Sequence, residues 1–251
     1  MAKRMRLDKL LANMGFGTRS EIRRAVKQGR VTVDGAVVKD FGLQLDPEAA
    51  AVQFDGEQVV YRETIYVMLN KPQGVVSATE DTRDRTVVDL LEQGDRVLQP
   101  FPVGRLDKDT EGLLLLTNDG KLAHELLSPK KHVPKTYEAL VHGDVGENDR
   151  AAFADGVTLD DGYETMPAQL VIGPKEARGE EGVFSQITLT IHEGKFHQVK
   201  RMFEAVGKKV VYLRRISMGP LQLDPSLPLG EYRPLTDEEL TMLQSVHRAE
   251  D

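Results

Sequence analysis

The chain has 251 residues, of which 40% are hydrophobic and 29% charged, a composition ordinary for soluble globular proteins of one or two domains. The absence of cysteine excludes disulfides, thiolate nucleophiles and sulfur-ligated metals. No apolar run approaches the roughly 20 residues of a membrane-spanning helix, and the basic N-terminus lacks the apolar core of a secretion signal. We therefore expect a cytoplasmic protein without a membrane partner.

The net charge of −7 hides a gradient along the chain. Residues 1–30 contain nine Lys or Arg and two acidic residues, a net charge of +7, which leaves −14 for the other 221 residues. Such an asymmetry predicts a basic module attached to a larger acidic body. A polyanionic partner therefore remains compatible with the acidic average.

The first sixty residues predict two helices followed by short strands. Apolar residues recur at helical spacing through RLDKLLANM, and Gly15 should end that helix. Thr18 and Glu21 have the spacing of a capping box at the start of a second helix, which Gly29 should end. The DG pair within RVTVDGAVV predicts a two-residue hairpin turn. A short strand and a polar connection follow, so we divide the chain into domains 1–60 and 61–251.

The basic residues of this N-terminal segment can be either a solvated helix face or a surface that contacts phosphates. The stretch RLDKLLANMGFGTRSEIRRAVKQGRVTVDGAVV resembles the alpha-L RNA-binding domain over about residues 4–50. The resemblance implies the second interpretation. The candidate RNA-binding residues here are Arg6, Lys9, Arg19, Arg23, Arg24 and Lys27.

The remainder of the chain predicts many strands with few, interspersed helices. We expect strands in TIYVMLN, GVVSA, GLLLLTND, KTYEALVHG, VFSQITLTI and KKVVYLRRISM, and helices in RTVVDLLEQ, GKLAHELL and QVKRMFEAV. This order indicates an α+β domain built around a mostly antiparallel sheet.

One acidic segment, GRLDKDTEGLLLLTND, leads directly into an apolar strand. Asp107 lies nearest Arg105, and Leu106 between them should point to the opposite face if the segment is extended. A carboxylate held ionised there by a cation could act as a nucleophile or a base. On these residues alone, an aspartate that only caps a turn is an equal alternative.

Other chemistries lack support in the sequence. The six histidines show no metal-ligand spacing, and neither a phosphate-binding loop nor a dinucleotide fingerprint occurs. We therefore expect neither a metal nor a cofactor.

The segment PVGRLDKDTEGLLLLTNDG is similar to the catalytic motif of the pseudouridine synthases, in particular the branch that modifies ribosomal RNA and carries an alpha-L domain. LNKPQGVVS, KTYEA, GKFHQVKRMFEAVG and LRRISMGPLQL match the same family in the expected order. HQVKRMF resembles the small-subunit branch more than the large-subunit branch. The resemblance implies isomerisation of a uridine in small-subunit ribosomal RNA, free or in a partly assembled subunit, by a protein that we expect to be monomeric.

The same resemblance assigns roles to four residues. Asp107 would be the catalytic aspartate, and Arg105 would occupy the space left by the flipped-out nucleotide. Tyr137 would stack on the uracil, and Lys200 would be the basic partner of the aspartate, at a position where related families have arginine. Without the resemblance, Tyr137 could be a core residue and Lys200 a surface cation.

A second basic segment, residues 195–215, has seven Lys or Arg and one Glu, a net charge of +6. It predicts a second RNA contact, and Arg201 is the candidate that we take from it.

Three other functions stay open: a large-subunit synthase, a non-catalytic RNA-binding assembly factor, and a carboxylate-dependent hydrolase. The hydrolase would need a second acid near Asp107, for which Asp109 and Glu111 are candidates, although we expect both to be solvated turn residues.

Overall fold

The computed structural model describes residues 4–245. The chain forms two compact units: residues 4–65 with 91–100, and residues 66–90 with 101–245. The boundary predicted between residues 60 and 61 stays a prediction. Among the residues described, no helix is long and apolar enough to cross a membrane.

The first unit combines helices with short strands. Its elements are β1 (Met5–Arg6), α1 (Leu7–Asn13), α2 (Arg19–Gln28), β2 (Val31–Val33), β3 (Ala36–Val37), β4 (Gln44–Leu45), β5 (Val52–Phe54), β6 (Glu57–Gln58) and α3 (Gln93–Arg96). Strands β3-β2-β5-β6 form one antiparallel sheet, and β1 pairs with β4. Leu7, Leu10 and Leu11 of α1 pack with Ile22 and Val26 of α2 in a buried cluster, so the cations of α2 lie on its other face.

The local signals in this unit are confirmed. The backbone N–H of Thr18 donates to Glu21 Oε2 (2.7 Å) and that of Glu21 donates to Thr18 Oγ1 (3.3 Å), which completes the capping box. Gly29 ends α2 in the left-handed conformation. Asp34 and Gly35 both have positive φ, as a two-residue hairpin turn requires.

The second unit is the predicted α+β domain. Its strands are β7 (Tyr66–Lys71), β8 (Phe101–Pro102), β9 (Glu111–Thr117), β10 (Lys135–His142), β11 (Gln169–Ala177), β12 (Val183–Ile191), β13 (Lys209–Met218), β14 (Leu221–Gln222) and β15 (Tyr232–Pro234). Its helices are α4 (Gly120–Leu127), α5 (Glu147–Asp155), α6 (Gln198–Ala205) and α7 (Asp237–Ser245). The sheet order is β11-β12-β10-β13-β9-β7-β15, and only β13 and β9 pair in parallel among these strands.

Two local predictions are wrong. RTVVDLLEQ does not form one helix but gives a 3₁₀ turn at Val88–Leu90, because the Asp89 carboxylate accepts the Thr86 N–H (2.8 Å) and closes a local loop. GVVSA makes only an isolated bridge between Val76 and Thr86 instead of a strand.

Gly112 allows the parallel pair to form. Its φ is +103°, and a Cβ added there would lie 2.2 Å from the backbone oxygen of Arg215 in β13. Arg215 is fully buried and its Nε donates to the Leu113 oxygen (2.8 Å), so the two strands are joined at the point where the Asp107 segment enters the sheet.

Candidate active site

Asp107 lies in a tight turn immediately before β9. The Thr110 N–H donates to the Asp107 backbone oxygen (3.1 Å), and the Lys71 ammonium, at the end of β7, donates to the backbone oxygens of Pro72, Asp107 and Thr110 (3.0 Å each). Lys71 has no exposed surface. Burial lowers its pKa to about 8, although neighbouring carboxylates, Asp107 first among them, oppose the shift. This clamp fixes the backbone that carries Asp107.

Lys200, in α6, bridges two carboxylates of the turn. Its ammonium lies 3.0 Å from Asp107 Oδ2 and 2.7 Å from Asp109 Oδ1. Burial acts to lower the pKa of Lys200, but its hydrogen bonds to Asp109 and Asp107 outweigh burial, so the net shift is upward. The hydrogen bond from Lys200 lowers the pKa of Asp109. Asp109 and Glu111 were both expected to be solvated turn residues. Asp109 is exposed, but it is paired with Lys200. Glu111 is the first residue of β9, and its carboxylate accepts a hydrogen bond from the Tyr212 hydroxyl (2.7 Å).

His197 is a neighbour of Asp107 that the sequence analysis did not identify. Its Nε2 is 3.5 Å from Asp107 Oδ1. The residue precedes α6 with φ +48°, a left-handed conformation that is uncommon outside glycine, and its ring stacks on that of Phe196 (centroids 3.7 Å apart). No residue pattern in KFHQ predicts the left-handed conformation of His197 or its contact with Asp107.

Tyr137 and Arg105 have no hydrogen bond or ion pair to Asp107 among residues 4–245. Tyr137 lies in β10 opposite Leu189 and Arg215 of the adjacent strands, and only 7% of it is exposed. Arg105 is exposed, and no described residue pairs with it. The structure therefore brings Asp107 and Lys200 into contact, while the roles of Tyr137 and Arg105 stay predictions.

Arg201 is committed to contacts within the protein. Its guanidinium pairs with Asp160 and Asp161 (2.6 Å to the latter) and donates to the Phe196 backbone oxygen (3.2 Å). The side chain is 12% exposed. An RNA phosphate would have to displace these aspartates from the guanidinium. The predicted RNA contact of Arg201 stays a prediction.

The candidate RNA-binding residues of the first unit divide into two groups. Arg6 and Arg23 both approach the buried carboxylate of Asp8 (2.9 and 3.5 Å), and the hydrogen bond from Arg6 lowers the Asp8 pKa despite burial. The others are exposed, and within residues 4–245 their side chains have no ion pair or hydrogen bond: Lys9, Arg19, Arg24 and Lys27.

Across residues 4–245, no group of three or more His, Asp or Glu side chains is placed to hold a metal ion.

Residues 65–205 match the family model described as RNA pseudouridylate synthase, and residues 5–50 match the S4 domain. The chain belongs to the RNA pseudouridylate synthase family. The enzyme is thus an isomerase that makes pseudouridine, and the predicted N-terminal RNA-binding module is confirmed as an S4 domain.

Relatives of this synthase cover nearly its whole length. It is 55% identical to the Bacillus subtilis (strain 168) protein named uncharacterized RNA pseudouridine synthase YtzG, over 95% of this chain and 98% of that one. It is 43% identical to ribosomal small subunit pseudouridine synthase A of Yersinia pestis, over 97% and 100% of the two chains. A solved structure titled crystal structure of pseudouridylate synthase superposes with a TM-score of 0.63 at 40% identity, covering 95% of this chain and 99% of that one.

Proposed function

We propose that this synthase converts one specific uridine of small-subunit ribosomal RNA to pseudouridine, with Asp107 as the reacting carboxylate. The substrate is supported by the 43% identity, over 97% of the chain, to an enzyme named for the ribosomal small subunit. The role of Asp107 is supported by one observation above all. Its carboxylate pairs with Lys200 while its backbone is clamped by Lys71, so an ionised side chain is held in a fixed position.

The reaction breaks the glycosidic bond between ribose C1′ and uracil N1, turns the base, and forms a bond from C1′ to C5. The hydrogen on C5 leaves and a proton is gained at N1, so atoms and electrons balance without an oxidant or reductant. We therefore propose that no cofactor takes part. An ionised Asp107 could either attack the sugar or remove a ribose proton, and both routes use the same carboxylate.

The other predicted residues act on the flipped nucleotide. Extruding a base from its stack costs a few kcal/mol. In our proposal Tyr137 stacks on the uracil, Arg105 fills the space that the nucleotide leaves, and the cations of residues 1–60 grip the surrounding RNA. We propose that the enzyme acts as a monomer in the cytoplasm during ribosome biogenesis.

The test is to incubate the purified protein separately with unmodified small-subunit and large-subunit ribosomal RNA and to map new pseudouridine in each. We expect a single new site in the small-subunit RNA and none with Asp107→Asn. New pseudouridine only in large-subunit RNA would make that RNA the substrate. A lack of product both in the free RNAs and in partly assembled small subunits would support a non-catalytic assembly factor.

A further inference from the structure

Phe196 is an exposed aromatic side chain next to the candidate active site. It is 73% exposed, the highest value for a large hydrophobic residue in the described part of the chain. Its ring stacks on His197 with centroids 3.7 Å apart and planes 20° apart, and His197 Nε2 is 3.5 Å from Asp107 Oδ1. One face of the Phe196 ring is thus covered by His197, and the rest of the ring is largely open to solvent. His197 is the residue that lies between this ring and the Asp107 carboxylate.

The loop that presents Phe196 is fixed from both sides. The Lys195 N–H donates to Gln198 Oε1 (2.8 Å), and Gln198 Nε2 donates to Glu193 Oε1 (2.7 Å). Arg201 donates to the Phe196 backbone oxygen (3.2 Å) while it pairs with an aspartate of a different loop. A side chain exposed by disorder would not need these contacts. They fix the backbone that carries Phe196, and the stack on His197 places its ring.

Backbone conformation adds a second constraint. His197 has φ +48° and ψ +32°, a left-handed conformation that is uncommon for a non-glycine residue. This conformation lies between the Phe196 side chain and the first turn of α6, where Lys200 reaches Asp107. The same backbone reversal therefore places the aromatic stack and the catalytic pair side by side.

We infer that Phe196 is a binding subsite for a nucleobase: an unpaired base of the RNA next to the target uridine stacks on its open face and continues the stack of Phe196 on His197. The inference rests on the proposed function, because its ligand is the RNA whose uridine that function modifies. Flipping the target uridine leaves the neighbouring bases partly unstacked. One of these bases can stack on an aromatic ring, whichever base it is.

Phe184 provides a matched control. Its ring also stacks on a histidine, His142 (centroids 5.0 Å apart), and Arg178 lies over it (4.4 Å). It lies near the start of β12, whose other end at Ile191 is roughly 23 Å further along the strand at about 3.3 Å per residue and leads into the Phe196 loop. Phe184→Leu therefore removes an aromatic ring outside the loop that carries Phe196 and His197.

The experiment measures binding of the full chain to two probes of equal phosphate number, a 12-nucleotide oligouridylate and an abasic ribose-phosphate oligomer of the same length. Phe196→Leu should weaken oligouridylate binding by about tenfold and leave abasic binding within about twofold. Phe196→Tyr, which keeps a ring, and Phe184→Leu should resemble wild type on both probes. With small-subunit RNA as substrate, Phe196→Leu should raise KM more than it lowers kcat.

Unchanged oligouridylate binding by Phe196→Leu would overturn the inference and leave the ring as a contact for a protein partner. Equal losses on the two oligomers would also overturn it, since the effect would then lie in charge or folding. Because the binding assay needs no turnover, a wild-type protein that modifies no small-subunit uridine would overturn the proposed function and leave the result for Phe196 readable.

Discussion

In the first unit, the side chains of Lys9, Arg19, Arg24 and Lys27 have no ion pair or hydrogen bond among residues 4–245, whereas Lys200 and Arg201 of the second unit are both paired with aspartates. Both regions are basic in sequence, with net charges of +7 over residues 1–30 and +6 over residues 195–215. The difference shows that the net charge of a segment does not measure how much charge is free to meet a polyanion.

The two arrangements serve different physical ends. A free surface cation gains by releasing counterions from RNA, and the gain depends on salt. A cation that is partly buried and hydrogen-bonded to a carboxylate or carbonyl fixes geometry and protonation instead, and is screened little by salt. The first unit is therefore expected to contribute affinity and the second to contribute chemistry.

The largest expected effect is a difference in turnover between variants of Asp107 and Asp109, the two carboxylates that pair with Lys200. Asp107→Asn keeps the volume of the side chain but removes its charge, and we expect turnover to fall by about 10²-fold to 10⁴-fold with little change in RNA affinity. Asp109→Asn should cost less than about tenfold, since Asp109 is 67% exposed. Single-turnover rates at saturating RNA measure both. Equal losses for the two variants would remove the distinction between reacting and supporting carboxylate.

A second test addresses the strand pair that positions the Asp107 turn. Gly112→Ala would place a methyl group 2.2 Å from the Arg215 oxygen at a φ of +103°, so we expect a loss of order 3 kcal/mol in the free energy of unfolding. Gly120, at the start of α4, has open space around its missing Cβ. Gly120→Ala should stabilise the protein by about 0.5 kcal/mol. Urea unfolding measures the free energy of unfolding of both variants. Similar values for the two would contradict the close approach of β9 and β13.

A third test compares free and engaged cations directly. Changing Lys9, Arg19, Arg24 and Lys27 together to glutamine should reduce the slope of log affinity against log salt by up to about 2.8, at roughly 0.7 per phosphate contact. Arg201→Gln should leave that slope unchanged, because its charge is already paired with aspartates. A quadruple variant with the wild-type slope would show that these four cations of α1 and α2 only form a solvated surface.

Most features that depend on neighbouring residues were predicted from the sequence, with the 3₁₀ turn at Val88–Leu90 as an exception, and those that depend on distant residues were missed. The capping box of Thr18 and the turn at Gly35 follow from residues a few positions apart. The clamp on Asp107 was not predictable, because Lys71 meets backbone oxygens 36 and 39 residues further on. The pairing of Lys200 with Asp107 spans 93 residues and could be expected only from family resemblance.

A fourth prediction concerns pH and the Lys71 clamp. Above its pKa of about 8 the folded protein loses the Lys71 proton and with it one of three hydrogen bonds, so kcat should fall severalfold between pH 8 and 9.5. Unfolded chains keep that proton up to about 10.5, so this group's contribution to the free energy of unfolding rises with pH over the same range. Activity and this stability contribution therefore move in opposite directions.

The control for this pH dependence is Lys135, whose pKa burial also lowers to about 8 but whose ammonium donates to the Val133 oxygen and not to the Asp107 turn. Lys135→Met should keep the alkaline fall in kcat, and Lys71→Met should have a lower kcat without it. If the fall disappears in Lys135→Met and persists in Lys71→Met, the clamp is not its origin.

The smallest expected effect is that of the Tyr137 hydroxyl. Tyr137 is 7% exposed and its hydroxyl makes no hydrogen bond to another described residue, so Tyr137→Phe removes a group with no observed partner while keeping the ring. We expect kcat/KM within about twofold of wild type, since stacking on a base needs only the aromatic face. Tyr137→Ala removes that face, and we expect it to lose ~1–3 kcal/mol of base-stacking free energy.

Parallel kinetics and thermal unfolding of both variants separate stacking from folding. A loss for Tyr137→Phe as large as for Tyr137→Ala, at wild-type stability, would assign a chemical role to the hydroxyl and place a second proton-carrying group in the active site.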